Sequence, residues 1–115
     1  MGVYVFQSKH GPYLKIGHYS KSNAWSRIAH RGFSSCIHPK ELRNRVTVHD
    51  MELVYWFPER TTKDEKSMHK LLAAYRVCGE WFSPQALAVI PTLWPDINHA
   101  ASCSKEAACA IKRRL

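Results

Sequence analysis

The opening of the chain restricts its fold more than any other feature. Residues 2–7 read Gly-Val-Tyr-Val-Phe-Gln, an unbroken β-branched and aromatic run, and residues 13–16 return to that character as Tyr-Leu-Lys-Ile. Between them Gly11-Pro12 interrupts any regular element. Two short strands on either side of such a turn make an antiparallel hairpin. A chain that starts this way must build a sheet first and cover it with its later segments. Gly17 reads as the end of the second strand, at a point where close backbone approach leaves no room for a side chain.

Those later segments carry the coverings in order. Trp25, Ile28 and Ala29 recur at helical spacing and predict a helix over residues 24–31, with N-cap candidates in residues 20–23 and Gly32 as its C-cap. Residues 33–45 read as an irregular basic stretch. Residues 46–57 predict a strand with Met51, Leu53, Tyr55 and Phe57 on one face, stopped by Pro58. Residues 61–75 give the clearest helix, with an apolar stripe of Met68, Leu71, Leu72 and Tyr75. A short strand over residues 80–83, a helix from Ser83-Pro84 to Ile90, a connector between Pro91 and Pro95, and a last helix over residues 97–115 complete the reading. The expected class is α/β: a single small domain with a short, mixed or antiparallel three-stranded sheet flanked by helices. Residues 1–92 form its core, and residues 93–115 a connector and helix packed on or extending it.

At 115 residues the chain has the size of one domain. Seventeen Lys and Arg oppose nine Asp and Glu, for a net charge of +8. Eight of those cations fall in residues 1–50 against two acids. A field concentrated in this way suits a polyanion, DNA first and RNA as the alternative, although a solvated basic face kept for solubility has the same composition. No run approaches the 18 or so apolar residues of a membrane span, and no basic leader precedes an apolar core, which predicts an intracellular protein with no membrane partner. The four cysteines contain no CxxC pair. That spacing disfavours structural zinc and fits free thiols in a reducing compartment.

Five short motifs occur in sequence. They are Gly2-Val3-Tyr4; Tyr13-Leu14-Lys15-Ile16-Gly17; Arg27; Glu65 to His69 as Glu-Lys-Ser-Met-His; and Gly79-Glu80-Trp81-Phe82. Ten residues separate Tyr4 from Lys15. Together, over about residues 2–90, they resemble the GIY-YIG nuclease family, in particular its compact viral and bacterial branch. Lys15 stands where the family name has its second tyrosine. The resemblance implies the family's fold and a Mg²⁺- or Mn²⁺-dependent endonuclease acting on DNA with low intrinsic sequence specificity. It also implies that Tyr4 and Lys15 activate the nucleophile, Arg27 holds the phosphate, Glu65 binds the metal, and His69 or His18 assists.

The residue chemistry is compatible with those roles. Free tyrosine, with a pKa near ~10, is a poor base at neutral pH, and an adjacent cation such as Lys15 lowers that value. His18, just after Gly17, is a second proton acceptor. The planar fork of Arg27 suits a phosphate. Mg²⁺ accepts a single protein carboxylate and keeps several waters. Glu65 falls about 70° from the centre of the apolar stripe, at the border of the buried face. Two other readings of this helix start stay open. Glu65 forms a capping box with Thr62, or Asp64 pairs with Thr61 in the same way and is itself the rival ligand. Tyr13, Arg31, Lys40, Arg43 and Arg45 are the candidates for further nucleic-acid contact. A phosphate-binding module without turnover, or a small RNA-binding or RNA-cutting protein, fits the same residues.

Overall fold

A computed structural model describes residues 1–30, 32–33 and 37–114, with side chains described as far as residue 110. Its centre is β1 (Gly2–Ser8), which pairs antiparallel with β2 (Leu14–Tyr19) on one side and β3 (Met51–Pro58) on the other. Two further short strands, β4 (Arg76–Cys78) and β5 (Trp81–Phe82), extend the sheet beyond β2. The order is β3-β1-β2-β5-β4 with every pair antiparallel, so the sheet has five strands and not three. Of the two added strands, β5 falls within the short strand expected over residues 80–83, and β4 lies just after the residues expected to end the preceding helix.

Both faces of the sheet are covered, which explains the unbroken apolar run of β1. Val3 and Val5 face one core with Leu14, Ile16, Phe57, Met68, Leu72 and Phe82. Tyr4 and Phe6 face the other with Trp25, Ile28, Phe33, Trp56 and Trp81. The second strand does not end at Gly17. β2 continues to Tyr19, and Gly17 sits inside it, directly opposite Tyr4.

β3 is shorter than expected and does not keep one face. Thr47 and Asp50 close a turn through their side chains (Oγ1 to Oδ2, 2.7 Å), which takes residues 46–50 out of the strand. A bulge then places Val5 opposite Tyr55 but Phe6 opposite Leu53. The extra residue reverses the alternation. Met51 and Leu53 lie with the Tyr4 core, whereas Tyr55 and Phe57 lie with the Val3 core.

Of the helix expected over residues 24–31, the described residues form only a 3-10 turn, Ala24–Arg27, capped by Asn23 Oδ1 accepting from the Trp25 N–H (3.1 Å). Gly32, at φ +64°, then turns the chain under Val46, where a Cβ would stand 2.0 Å from the Val46 carbonyl oxygen. Eight residues are too few for helix propensity to prevail over that crossing.

Helix α1 (Thr62–Leu71) stops at Leu72, which turns into the core and leaves Leu71 exposed, so Leu71 drops out of the expected buried stripe. Helix α2 (Ala86–Leu93) runs through Pro91 rather than ending at Ile90. The last expected helix is split into a 3-10 turn, Ala100–Ser102, and α3 (Lys105–Arg114). This C-terminal segment covers two open places. Asn98 accepts from the Trp56 N–H (3.1 Å) and donates to the Val54 carbonyl (2.8 Å) at the bulged outer edge of β3. Ala108 of α3 is buried in the Tyr4 core. No described helix is long and apolar enough to cross a membrane.

Candidate active site

β5 pairs with β2 only at Leu14 and Lys15, followed by one hydrogen bond from the Ile16 N–H to the Glu80 carbonyl (3.0 Å). Beyond it the edge of β2 lies open on that side, and α1 closes the gap. His69 donates Nε2–H to the Ile16 carbonyl (2.8 Å), and the Glu65 carboxylate accepts the backbone N–H of His18. Residues four apart share one face of a helix, so Glu65 and His69 together replace the missing strand. Glu65 therefore reaches the opposite side of the sheet edge from the Val3 core on which α1 packs.

The capping alternatives are resolved by geometry. Thr61 is the N-cap: its hydroxyl accepts from the Asp64 N–H (3.2 Å), while Asp64 accepts from the Thr61 N–H (2.8 Å). Asp64 is thereby held at the helix start, and Glu65 is left to face the cavity.

Tyr4, Lys15, His18, Arg27 and Glu65 line one cavity of about 400 Å³, together with Ile37, Gly79 and Glu80. They come from β1, β2, the 3-10 turn, α1 and the β4–β5 turn. Tyr4 has its ring between Phe6 and Phe33, with centroids at 5.4 and 5.9 Å, and its phenol runs beneath Gly17. A Cβ on residue 17 would lie 2.3 Å from the Tyr4 hydroxyl oxygen. Arg27 donates to the Gly32 carbonyl (3.4 Å) and lies over the Phe33 ring at 5.2 Å. His18 donates Nε2–H to the Arg60 carbonyl (3.1 Å), which leaves Nδ1 with its lone pair.

Lys15 is the most deeply buried charged group of the set. Its side chain is 1% exposed, with the ammonium over the Phe33 and Trp81 rings and paired to the Glu80 carboxylate. Glu80 thus joins the site as the counterion of the buried cation. The sequence marked Glu80 only weakly, through its place in Gly-Glu-Trp-Phe. Burial, and then the neighbouring Glu80 carboxylate, push the Glu65 carboxyl above its ordinary range, against the lowering effects of His69 and the His18 N–H.

The remaining candidates do not line this cavity, although His69 adjoins it. His69 packs against Phe82 beside Glu65, and the ligand atoms of Glu65, His69 and Glu80 lie within 4.8 Å of one another. Carboxylate oxygens with an imidazole are a donor set suited to a divalent ion. Tyr13 precedes β2, donates its hydroxyl to Glu41 and does not line the cavity. Lys40 and Arg43 line a second concavity of about 360 Å³ with His38, Asn44 and Val46. Arg45 is exposed and lines neither, and Arg31 lies outside the described residues. Cys78, Cys103 and Cys109 are free thiols, while Cys36 lies outside the described residues.

No family model, no curated protein and no solved structure matches the chain.

Proposed function

We propose that this protein is a divalent-metal-dependent endonuclease of the GIY-YIG type, hydrolysing DNA phosphodiester bonds with little sequence selectivity. The observation that carries the reading is the convergence of Tyr4, Lys15, Arg27 and Glu65 on one cavity from four separate elements. Phosphodiester hydrolysis needs a positioned water, cations around the phosphoryl oxygens and a place for the displaced proton. The Arg27 guanidinium grips the phosphate by its planar fork. The Tyr4 hydroxyl, held rigidly under Gly17, positions the attacking water. His18 Nδ1 is a base on the same wall. Lys15, held in place by Glu80, makes the cavity favour anionic oxygen. Glu65 holds the Mg²⁺ or Mn²⁺ ion, which when bound supplies Lewis-acid stabilisation of charge on the phosphate.

The pairing of Lys15 with Glu80 favours one other reading, a phosphate-binding module without turnover, because that ammonium is already neutralised. One experiment separates the two. Supercoiled plasmid and single-stranded and duplex DNA and RNA are incubated with the protein in Mg²⁺, Mn²⁺ or EDTA. The nuclease reading expects metal-dependent cutting of DNA, reduced at least ~100-fold by Glu65→Ala. Binding that persists with no cleavage under any divalent ion overturns it in favour of the module, and cutting confined to RNA changes the substrate class.

A further inference from the structure

A metal-bound histidine characteristically donates its second ring N–H to a carboxylate or backbone carbonyl, which fixes its tautomer and orientation. His69 already makes that bond, from Nε2 to the Ile16 carbonyl at 2.8 Å. A carbonyl only accepts, so Nε2 carries the proton and Nδ1 keeps a lone pair. Glu65 lies one helical turn earlier on the same face, its carboxylate oriented by the His18 N–H. Glu80 enters from the β4–β5 turn, oriented by the buried Lys15 ammonium. Each of the three side chains therefore has an outer partner that aims it, and their ligand atoms lie within 4.8 Å of one another. Ligands at about 2.1 Å from a common ion stand about 3–4.2 Å apart, so small side-chain shifts close the set. Two carboxylates brought together in a half-closed cavity repel, and a dication between them removes that repulsion.

We propose that Glu65, His69 and Glu80 form one three-ligand site that takes a transition-metal dication such as Mn²⁺ in preference to Mg²⁺. The inference rests on the reading of Glu65 as a metal ligand, adds two ligands to it, and assigns the selectivity. Magnesium favours oxygen donors and keeps its waters, whereas imidazole suits the first-row transition ions. Glu80 then has two tasks at once. It neutralises the buried Lys15, and it ties that cation to the metal, so that the two positive groups on the cavity wall are set by one carboxylate.

The test is a Mn²⁺ titration of the full chain followed by electron paramagnetic resonance, with spin-echo detection of nitrogen coupling. The wild-type protein is expected to bind one Mn²⁺ with ¹⁴N modulation from the imidazole, and Mg²⁺ to displace it only in at least ~100-fold excess. Glu80→Gln keeps an acceptor for Lys15 and preserves the fold, as circular dichroism checks, yet weakens Mn²⁺ binding at least ~10-fold. Absence of Mn²⁺ binding, absence of nitrogen coupling, displacement by equimolar Mg²⁺, or an unchanged Kd in Glu80→Gln overturns the three-ligand site. The readout is independent of cleavage. Metal-dependent DNA cutting with no nitrogen coupling leaves the nuclease reading standing and removes this site. Full Mn²⁺ binding with no cutting does the reverse.

Discussion

Gly17 of β2 lies directly opposite Tyr4 of β1, and the Tyr4 phenol occupies the space a residue-17 side chain would need. The Cβ of an alanine there would stand 2.3 Å from the hydroxyl oxygen and 2.5 Å from the ring carbon that bears it. The Tyr4 ring is packed between Phe6 and Phe33, so moving it away from Gly17 disturbs the aromatic core. Gly17→Ala is expected to destabilise the protein by ~1–3 kcal/mol through overpacking. Tyr4→Leu introduced with it recovers part of that loss, because the longer ring is gone. Urea unfolding of the two single variants and the double variant measures the coupling, and strict additivity would contradict the steric relationship.

The Lys15–Glu80 pair is asymmetric. The Lys15 side chain is 1% exposed and that of Glu80 is 40% exposed. Which deletion costs more depends on which survivor is left behind. Glu80→Ala strands a buried cation and is expected to cost ~3–5 kcal/mol. Lys15→Met fills the same channel between Phe33 and Trp81 and releases Glu80 to water, for a loss of about 1 kcal/mol. Equilibrium unfolding midpoints at neutral pH give the order directly, and the reverse order would show that the pair is not governed by burial.

Neighbouring acids at the start of α1 respond to pH in opposite senses. The Thr61 backbone N–H, and then its hydroxyl, hold the Asp64 carboxyl below 3.8. A lowered acid contributes stability above its unfolded pKa and loses it as pH falls through the folded value. Asp64→Ala is therefore expected to cost about 1 kcal/mol at pH 7, with the difference closing below pH 3.8. Glu65 is raised, by burial first and Glu80 second. Its contribution is fully present below an unfolded value near ~4.3 and is lost as pH rises through the folded one. Glu65→Gln is then expected to unfold at a higher temperature than wild type in EDTA at pH 7, and the two to converge near pH 4. The same variant is expected to lose at least ~100-fold in metal-dependent cleavage. Thermal unfolding across pH 3–8, read against cleavage, separates the cap from the cavity acid.

Much of this arrangement is legible in the sequence where local chemistry decides it. The β1–β2 hairpin follows from two apolar runs around Gly11-Pro12, and the start of α1 from Thr and Asp three residues apart. Motif order and spacing mark Tyr4, Lys15, Arg27 and Glu65, although their convergence needs the fold. Features set by non-local contact are not legible. The bulge at Val54 is held by Asn98, 44 residues away, which donates to the Val54 carbonyl, and it reverses the faces of Tyr55 and Phe57 relative to Met51. That the described residues 24–30 form only a 3-10 turn goes with Gly32 carrying the chain under Val46. The partner of Lys15 lies 65 residues on, in a turn that the Gly79-Glu80-Trp81-Phe82 motif marks without linking it to Lys15.

The concavity lined by His38, Lys40, Arg43 and Asn44 adjoins the main cavity in sequence, since Ile37 lines one and His38 the other. Among the described residues its lining holds two exposed cations and no carboxylate. A nucleic-acid strand held at Arg27 is expected to continue across it by phosphate contacts alone. Each such contact releases condensed counterions, so log affinity falls with log salt by about 0.9 per contact on duplex DNA. Lys40→Ala and Arg43→Ala are each expected to reduce that slope by about 0.9 and to weaken binding equally for unrelated sequences. Single-turnover cleavage at saturating DNA should stay at the wild-type rate, because neither side chain lines the cavity that holds Tyr4 and Glu65. Fluorescence anisotropy of a labelled duplex across a range of roughly 50–300 mM salt measures the slopes. Slopes unchanged in both variants would remove this concavity from the path of the strand.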